Sequence, residues 1–371
     1  MSLRGIRRPR TPRVVDDARR PSGNNRGVAL GSPPLARTTE QSPDISIART
    51  RQVTVTKIIC GVDVSSRSLH VRIGFDGPDC SFPNTTPGIA ALATFCRQHN
   101  VELVAMEATG GYEKQSFAQL WEHGLPVVIL NPRAVRHFAE GMGLLEKTDR
   151  IDAGVIAWFA QVKRCLPSAP PSAAQEHLKA LVTRLRQLTE LQTAQRNQRL
   201  LVQDPTVLAS FTQILSLLAS QIRALQTEIA QLIAVDPLWQ QLDQAFRSIK
   251  GVADRTVARL LAEMPEIGTL SNKAISKLAG LAPLARDSGK NQGKRPVRGG
   301  RSSVRAILFV VASVVRRYDA DFAAFNRRLQ AAGKPKKVIR VALAHKLLVR
   351  LNAKARQIRN SEVASCALLA H

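Results

Sequence analysis

The sequence predicts an α/β domain with helices over a mixed sheet, then a long helical hairpin, then a mainly α C-terminal domain. Three observations lead there. Residues 54–165 alternate short apolar runs with amphipathic stretches. Residues 172–236 carry leucine and isoleucine at three-four spacing, and residues from 237 onward are helical around one Gly- and Lys-rich insert. Alternation of strand and helix signals indicates an α/β layer, and sustained three-four spacing indicates paired helices.

Residues 1–53 come first and carry eleven Arg, four acidic residues and many Pro, Gly and Ser without periodicity. They read as a disordered basic arm, or as upstream sequence reached through an early start codon. From Lys57 the pattern changes. KIICGVDVS and SLHVRIGF are expected strands joined by a polar turn, with DCSFPNT a third. PGIAALATFCRQHN is a helix opened by Pro87, ELVAMEAT a buried strand, and YEKQSFAQLWEHG a helix stopped by Gly124. PVVILNP is the next strand, followed by the helical PRAVRHFAEGM and TDRIDAGVIAWFAQV.

The Pro-rich LPSAPPSA marks a boundary. Beyond it Leu178, Leu181, Leu185, Leu188 and Leu191 form one seam. After Asp204-Pro205 the seam continues through Leu208, Phe211, Leu215, Leu218, Ile222, Leu225, Ile229 and Leu232. Core packing accounts for most of these; pairing of two protomers along the seam is the other reading. In residues 237–357, IKGVADRTVARLLAEM resembles a helix-hairpin-helix element that offers backbone amides to a phosphate, a weak motif alone. Residues 358–371 are an expected tail.

Charge narrows the partner. The 371 residues hold 54 Lys plus Arg against 28 Asp plus Glu, a formal net charge of +26. Nine basic residues and one acidic residue lie between Arg286 and Arg317, and eight more basic residues follow Lys334 before Glu362. That imbalance exceeds what a solvated face needs and points to nucleic-acid phosphate. Lys290, Lys294, Arg295, Arg298, Arg301 and Arg305 are the expected contacts. Aromatic residues are 4% of the chain, so stacking platforms for single strands are not evident. The five cysteines, Cys60, Cys80, Cys96, Cys165 and Cys366, form no CxxC pair, which disfavours a disulfide framework or a zinc site. No run of about 18 apolar residues suggests a membrane span.

Against this basic background four carboxylates stand out. Asp63 ends the apolar TKIICGVD and Glu107 ends VELVAME, each where a buried strand gives way to solvent. Asp149 and Asp152 are three apart on one helix face, with Thr148 an expected N-cap. Brought together, four carboxylates repel unless a divalent cation compensates them, and Mg²⁺ (or Mn²⁺) takes hard oxygen ligands. Two such ions could flank a scissile phosphate. The bland alternative keeps Asp149 and Asp152 as helix N-terminal charges and Asp63 as a turn residue before Ser65. Asp76, Asp79, Glu113, Glu140 and Glu146 compete, but none of them ends a buried strand.

GVDVSS, MEATGGYE, NPRAVRHFAEGMGLLEKTDRIDA and LAPLARDSGKNQGKRPVRGGRSSVR, in that order, resemble the DEDD transposases of bacterial insertion sequences. This is the insertion sequence 110 family, which also includes pilin-gene DNA invertases; the similarity spans about residues 57 to 355. The resemblance implies a RuvC-like (ribonuclease H-like) fold for residues 54–165, a coiled-coil segment at 172–236 and a C-terminal transposase domain at 237–357. It implies Asp63, Glu107, Asp149 and Asp152 as catalytic metal ligands, and Ser288 as a nucleophile forming a covalent link to DNA. A structured bridge RNA that pairs with donor and target DNA is implied too, as are a dimer or tetramer and a cytoplasmic, nucleoid-associated location. The residues themselves agree that a serine hydroxyl needs activation, and Ser288 has only Asp287 as a neighbouring carboxylate. Ser288 as a simple turn residue stays open, and Ser302 and Ser303 read as N-caps of the following helix. The alternatives are a RuvC-type nuclease of branched DNA with water as nucleophile, and a non-catalytic nucleic-acid-binding relative.

Overall fold

The computed structural model describes residues 57–144, 149–285, 287–288, 291–292 and 295–369. The predicted mixed sheet is present. Its strands are β1 (Ile59–Val64), β2 (Ser68–Ile73), β3 (Asp79–Pro83), β4 (Leu103–Glu107) and β5 (Val127–Leu130), in the spatial order β3-β2-β1-β4-β5. β1, β2 and β3 pair antiparallel, and β4 and β5 join them in parallel. The parallel crossovers are made by α1 (Thr86–Gln98), between β3 and β4, and α2 (Glu113–Glu122), between β4 and β5. Each helix starts or stops for a local reason. The Thr85 hydroxyl accepts from the Gly88 N–H at the head of α1, and Gly124 adopts φ +78° after α2. Asn131 caps α3 (Pro132–Gly141) through the Ala134 N–H, with Pro132 at a position that needs no donor.

The period of two along β1 sorts its side chains between two cores. Cys60, Val62 and Val64 pack with α1 and α2, whereas Ile59 packs with α3 and α4 (Asp149–Val162). Gly61 shares the α4 side. A Cβ there would overlap the Ala153 carbonyl oxygen, so only glycine lets α4 lie this close to the strand.

Two long helices follow, α5 (Ala173–Arg199) and α6 (Pro205–Val235), with Ser172 and Asp204 as their N-caps. The five residues between them force α6 back along α5. Leu178, Leu181, Leu185 and Leu188 are buried with Leu218, Ile222, Ile229 and Ile233, as the spacing predicts. Farther out the seam thins: Leu191 is exposed, and Leu208, Phe211 and Leu215 are only half-buried. Among the described helices α6 alone is long and apolar enough to cross a membrane, at a mean hydropathy of 1.2, whereas the sequence reading expected no such run. Its buried face is nonetheless used against α5 and the helices that follow.

Helices α7 (Pro237–Arg247), α8 (Asp254–Glu263) and α9 (Asn272–Leu278) come next, then two short strands, β6 (Asp287–Ser288) and β7 (Asn291–Gln292). The chain ends in α10 (Ser302–Tyr318), α11 (Ala320–Ala331) and α12 (Lys336–Leu369). The inner half of the α5–α6 hairpin shares one continuous core with α7–α12. The expected tail from 358 is helical through Leu369. The Gly-centred turn between α7 and α8 is also present, with Gly251 at φ +99°, and it packs on Val314 and Val315 of α10.

The Gly- and Lys-rich insert differs from the expected loop. Asp287 pairs with Gln292 and Ser288 with Asn291, antiparallel, and Pro283 bridges Val297. A segment of polar residues carries no apolar alternation, so its strand character was hidden; ladder pairing satisfies backbone groups that would otherwise need water. Ser302 and Ser303 also depart from expectation. Arg301 holds the N-cap position without a side-chain cap, and the Ser303 hydroxyl instead donates to Glu263.

Candidate active site

Asp63 and Glu107 sit at the ends of neighbouring parallel strands, one position past the Val62–Met106 pair. Parallel pairing in this register brings two carboxylates to the same sheet edge, on the face that α3 and α4 cover. Asp152 lies in the first turn of α4, next to Ala153, the residue that seats the helix on Gly61. Asp63, Glu107 and Asp152 line one cleft of about 470 Å³, with Thr109, Arg133 and Arg136. Asp149 begins α4 one turn earlier; its side chain, and the expected cap Thr148, lie outside the described residues.

The donors in this cleft are carboxylate oxygens, with no thiol or imidazole among the lining residues, and they suit Mg²⁺ or Mn²⁺ in kind. Among the described residues no three His, Cys, Asp or Glu side chains form a cluster that could hold a metal by themselves. Mg²⁺ fits such a set, because it keeps several waters or substrate phosphate oxygens in its shell. Arg133 and Arg136 bring positive charge along α3 to the same opening, and Arg136 also pairs with Glu140 at 3.1 Å.

Glu113 was set aside in the sequence because it ends no strand, and its role is local. Its Oε2 accepts from the Gly111 N–H at 2.8 Å, the Thr109 hydroxyl at 2.9 Å and the Thr109 N–H at 3.1 Å. Burial alone would push its carboxyl up. The donors, its own N–H among them, outweigh burial and hold the carboxyl below its ordinary range. The loop after Glu107 is thereby gathered onto one carboxylate, with Gly110 and Gly111 at φ +84° and +138°. The signal was Glu113 at the head of a helix, two residues after a Gly pair.

No described residue after Val155 lines the carboxylate cleft. Ser288 lies in β6, within the hairpin, and its side chain is outside the described residues. Lys290 and Lys294 are outside them too, while Arg295 and Arg298 are exposed near the hairpin base. Arg301 and Arg305 are engaged internally. Arg301 forks onto Glu266 at 2.6 and 2.5 Å, and Arg305 donates to the Gly299 carbonyl at 2.5 Å.

Comparison with known proteins matches both segments of the chain. The family model for DEDD transposases of the IS110 type matches residues 60–202, which include all four carboxylates. The model described as "Transposase IS116/IS110/IS902 family" matches residues 243–327, which include Ser288. The chain is also similar to the pilin gene-inverting proteins of Moraxella lacunata and Moraxella bovis. Each is 29% identical over 294 residues, covering 76% of this chain and 89% of the relative.

Proposed function

The chain belongs to the IS116/IS110/IS902 family of transposases and recombinases, and we propose that it cuts and rejoins DNA with Ser288 as nucleophile beside a carboxylate-held metal site. The observation that carries this reading is the meeting of Asp63, Glu107 and Asp152 in one cleft inside the family-matched segment. The sheet order, with an antiparallel β1–β3 meander and parallel β4 and β5, supports a RuvC-like assignment.

Asp63, Glu107, Asp149 and Asp152 would hold Mg²⁺ or Mn²⁺. Such a cation supplies Lewis-acid polarisation of the phosphate and lowers the pKa of an oxygen bound to it. The protein's residues do the rest. Arg133 and Arg136 draw the DNA backbone toward the cleft, and the Glu113-tied loop holds Glu107 at its rim. The Ser288 Oγ attacks phosphorus, forming a serine phosphate ester, while one deoxyribose oxygen leaves and takes up the serine's proton. Attack on that ester by the hydroxyl of another strand restores a phosphodiester and frees Ser288, so no bond energy is lost to water. In this reading Ser288 reaches the cleft, which no described residue after Val155 lines, within one protomer or across two. Joining two DNA ends needs more than one active site, which favours a dimer or tetramer.

A guide RNA comes to this reading from the family resemblance. It fits a basic chain with few aromatic residues, since sequence choice delegated to base pairing needs no side-chain readout. A cytoplasmic, nucleoid-associated location comes to this reading from the same resemblance.

The test is a denaturing gel of the full chain incubated with its element's end DNA and divalent metal. A covalent protein–DNA species in the parent and none in Ser288→Ala supports the serine. Cleavage by Ser288→Ala at the parent's rate replaces it with a water-using nuclease. Undiminished function in Asp63→Asn reduces the protein to a nucleic-acid-binding relative.

A further inference from the structure

The hairpin that carries Ser288 leaves the helical core between Gly280 and Gly300, and those two residues are packed backbone to backbone. A Cβ on Gly280 would overlap the Gly299 carbonyl, and one on Gly300 would overlap the Gly280 nitrogen; both have positive φ, at +66° and +63°. The Arg301 N–H donates to the Leu278 carbonyl at 2.8 Å, and the Arg305 guanidinium spans the Gly299 and Gly280 carbonyls at 2.5 and 3.4 Å. Above this stitch the two limbs run antiparallel, with the Leu284 N–H donating to the Pro296 carbonyl at 3.0 Å.

The Arg301 side chain ties the stitch to the rest of the protein. Its two terminal nitrogens take Glu266 in a fork, and one of them also donates to the Glu263 carbonyl at 2.8 Å. Glu266 belongs to the segment between α8 and α9, which α12 holds in turn. Arg359 donates to the Ile267 and Pro265 carbonyls, both at 2.9 Å, Arg356 to the Leu270 carbonyl at 2.7 Å, and the buried Asn352 accepts from the Gly268 N–H at 2.8 Å. A continuous hydrogen-bonded path therefore runs from the core helix through Glu266 and Arg301 to the root of the serine hairpin.

We propose that Arg301 is a positioning residue, locked by Glu266, that sets the direction in which the serine hairpin projects, and not a phosphate contact. A guanidinium already forked onto a carboxylate is neutralised and geometrically committed, so a DNA phosphate would have to displace Glu266 to use it. Disorder at the root of an arm is amplified at its far end, and a displacement of about 1 Å at a reacting atom can cost on the order of a hundredfold in rate. The proposal rests on Ser288 being the nucleophile only for its catalytic readout; the mechanical claim stands separately.

The decisive variant is Glu266→Gln in the full chain, because the two roles of Arg301 predict opposite signs for it. As a positioning pair, Glu266→Gln makes the hairpin, which contains Lys290, Lys294 and Arg295, several-fold more sensitive to limited trypsin. It also lowers the Ser288–DNA adduct about tenfold, with DNA affinity held within about twofold, since losing a carboxylate weakens no phosphate contact. The charge-swapped Arg301→Glu/Glu266→Arg chain recovers protection and adduct. As a phosphate contact, Arg301 would be released by Glu266→Gln, so affinity and adduct would hold or rise, and only Arg301→Ala would lose affinity. Unchanged trypsin sensitivity in Glu266→Gln, with no loss of adduct, overturns the proposal. Raised trypsin sensitivity in a protein whose parent forms no serine adduct keeps the lock and removes the serine chemistry. Arg301→Lys, which keeps the charge but not the fork, guards against a fold defect in the larger changes.

Discussion

Gly61 of β1 faces the carbonyl oxygen of Ala153 of α4 so closely that no side chain fits between them. Asp63 lies two residues along the same face of the strand, and Asp152 immediately precedes Ala153. The distance between the two carboxylates is thus governed by a hydrogen atom on a glycine. This is a packing decision that sets the geometry of the proposed metal site.

Gly61→Ala is therefore expected to push α4 off the sheet. Overpacking of this kind costs about 1–3 kcal/mol, and here the neighbour is backbone that cannot turn aside. Thermal unfolding should show the loss of stability, and strand cleavage should fall further than the melting shift explains, because Asp152 moves with the helix.

Asp63→Asn, Glu107→Gln and Asp152→Asn should each reduce strand cleavage by about 10²–10³-fold, the scale on which electrostatic groups at a phosphoryl-transfer site act. DNA affinity in a gel-shift titration should hold or rise slightly, since each change removes negative charge. Chelation with EDTA should abolish cleavage by the parent, and added Mg²⁺ or Mn²⁺ should restore it. Cleavage that persists in EDTA would remove the metal from the mechanism.

Glu113→Gln should loosen the loop that follows Glu107. Three hydrogen bonds to a carboxylate become weaker bonds to an amide, a loss of about 1–3 kcal/mol. The parent carboxyl titrates below its unfolded value of about 4.3, so its contribution is complete above that pH and vanishes as pH falls through the lowered folded value. Glu266 behaves the same way. Burial would raise its carboxyl, but the Arg301 hydrogen bonds, its own N–H and the charges of Arg301 and Lys179 hold it down. Urea unfolding followed from pH 7 to pH 3 should show a shallower acid loss in Glu113→Gln and in Glu266→Gln than in the parent.

Asn352 is wholly buried on α12, and its amide accepts from Gly268 and donates to the Leu270 carbonyl at 3.0 Å and to Asn272 at 2.9 Å. Asn352→Ala leaves those groups without their partner inside the core. The expected cost is about 1–3 kcal/mol, read by urea unfolding. A change within a few tenths would mean that water or a shift of the 264–271 segment replaces the amide.

Some of this was legible in the chain itself. Local sequence determined the five strands and the helices between them, because alternation, caps such as Thr85 and Asn131, and stops such as Gly124 act within a few residues. It also marked Asp63 and Glu107, since a carboxylate that closes an apolar strand is conspicuous, and it placed Ser288 in a basic, glycine-rich segment. Other features depended on residues far apart. Gly61 became a helix seat only when α4 crossed β1, and Glu113 became an organiser only when the loop folded onto it. Arg301 and Arg305 were marked by charge density, which is visible in sequence, while their partners, the Glu266 carboxylate and the Gly280 and Gly299 carbonyls, are not. Glu266 lies 35 residues before Arg301, and only tertiary packing brings such partners together. Periodicity and capping are short-range and can be read along a chain. The pairing of charges and the close approach of backbones depend on how the elements are arranged, and the fold decided those.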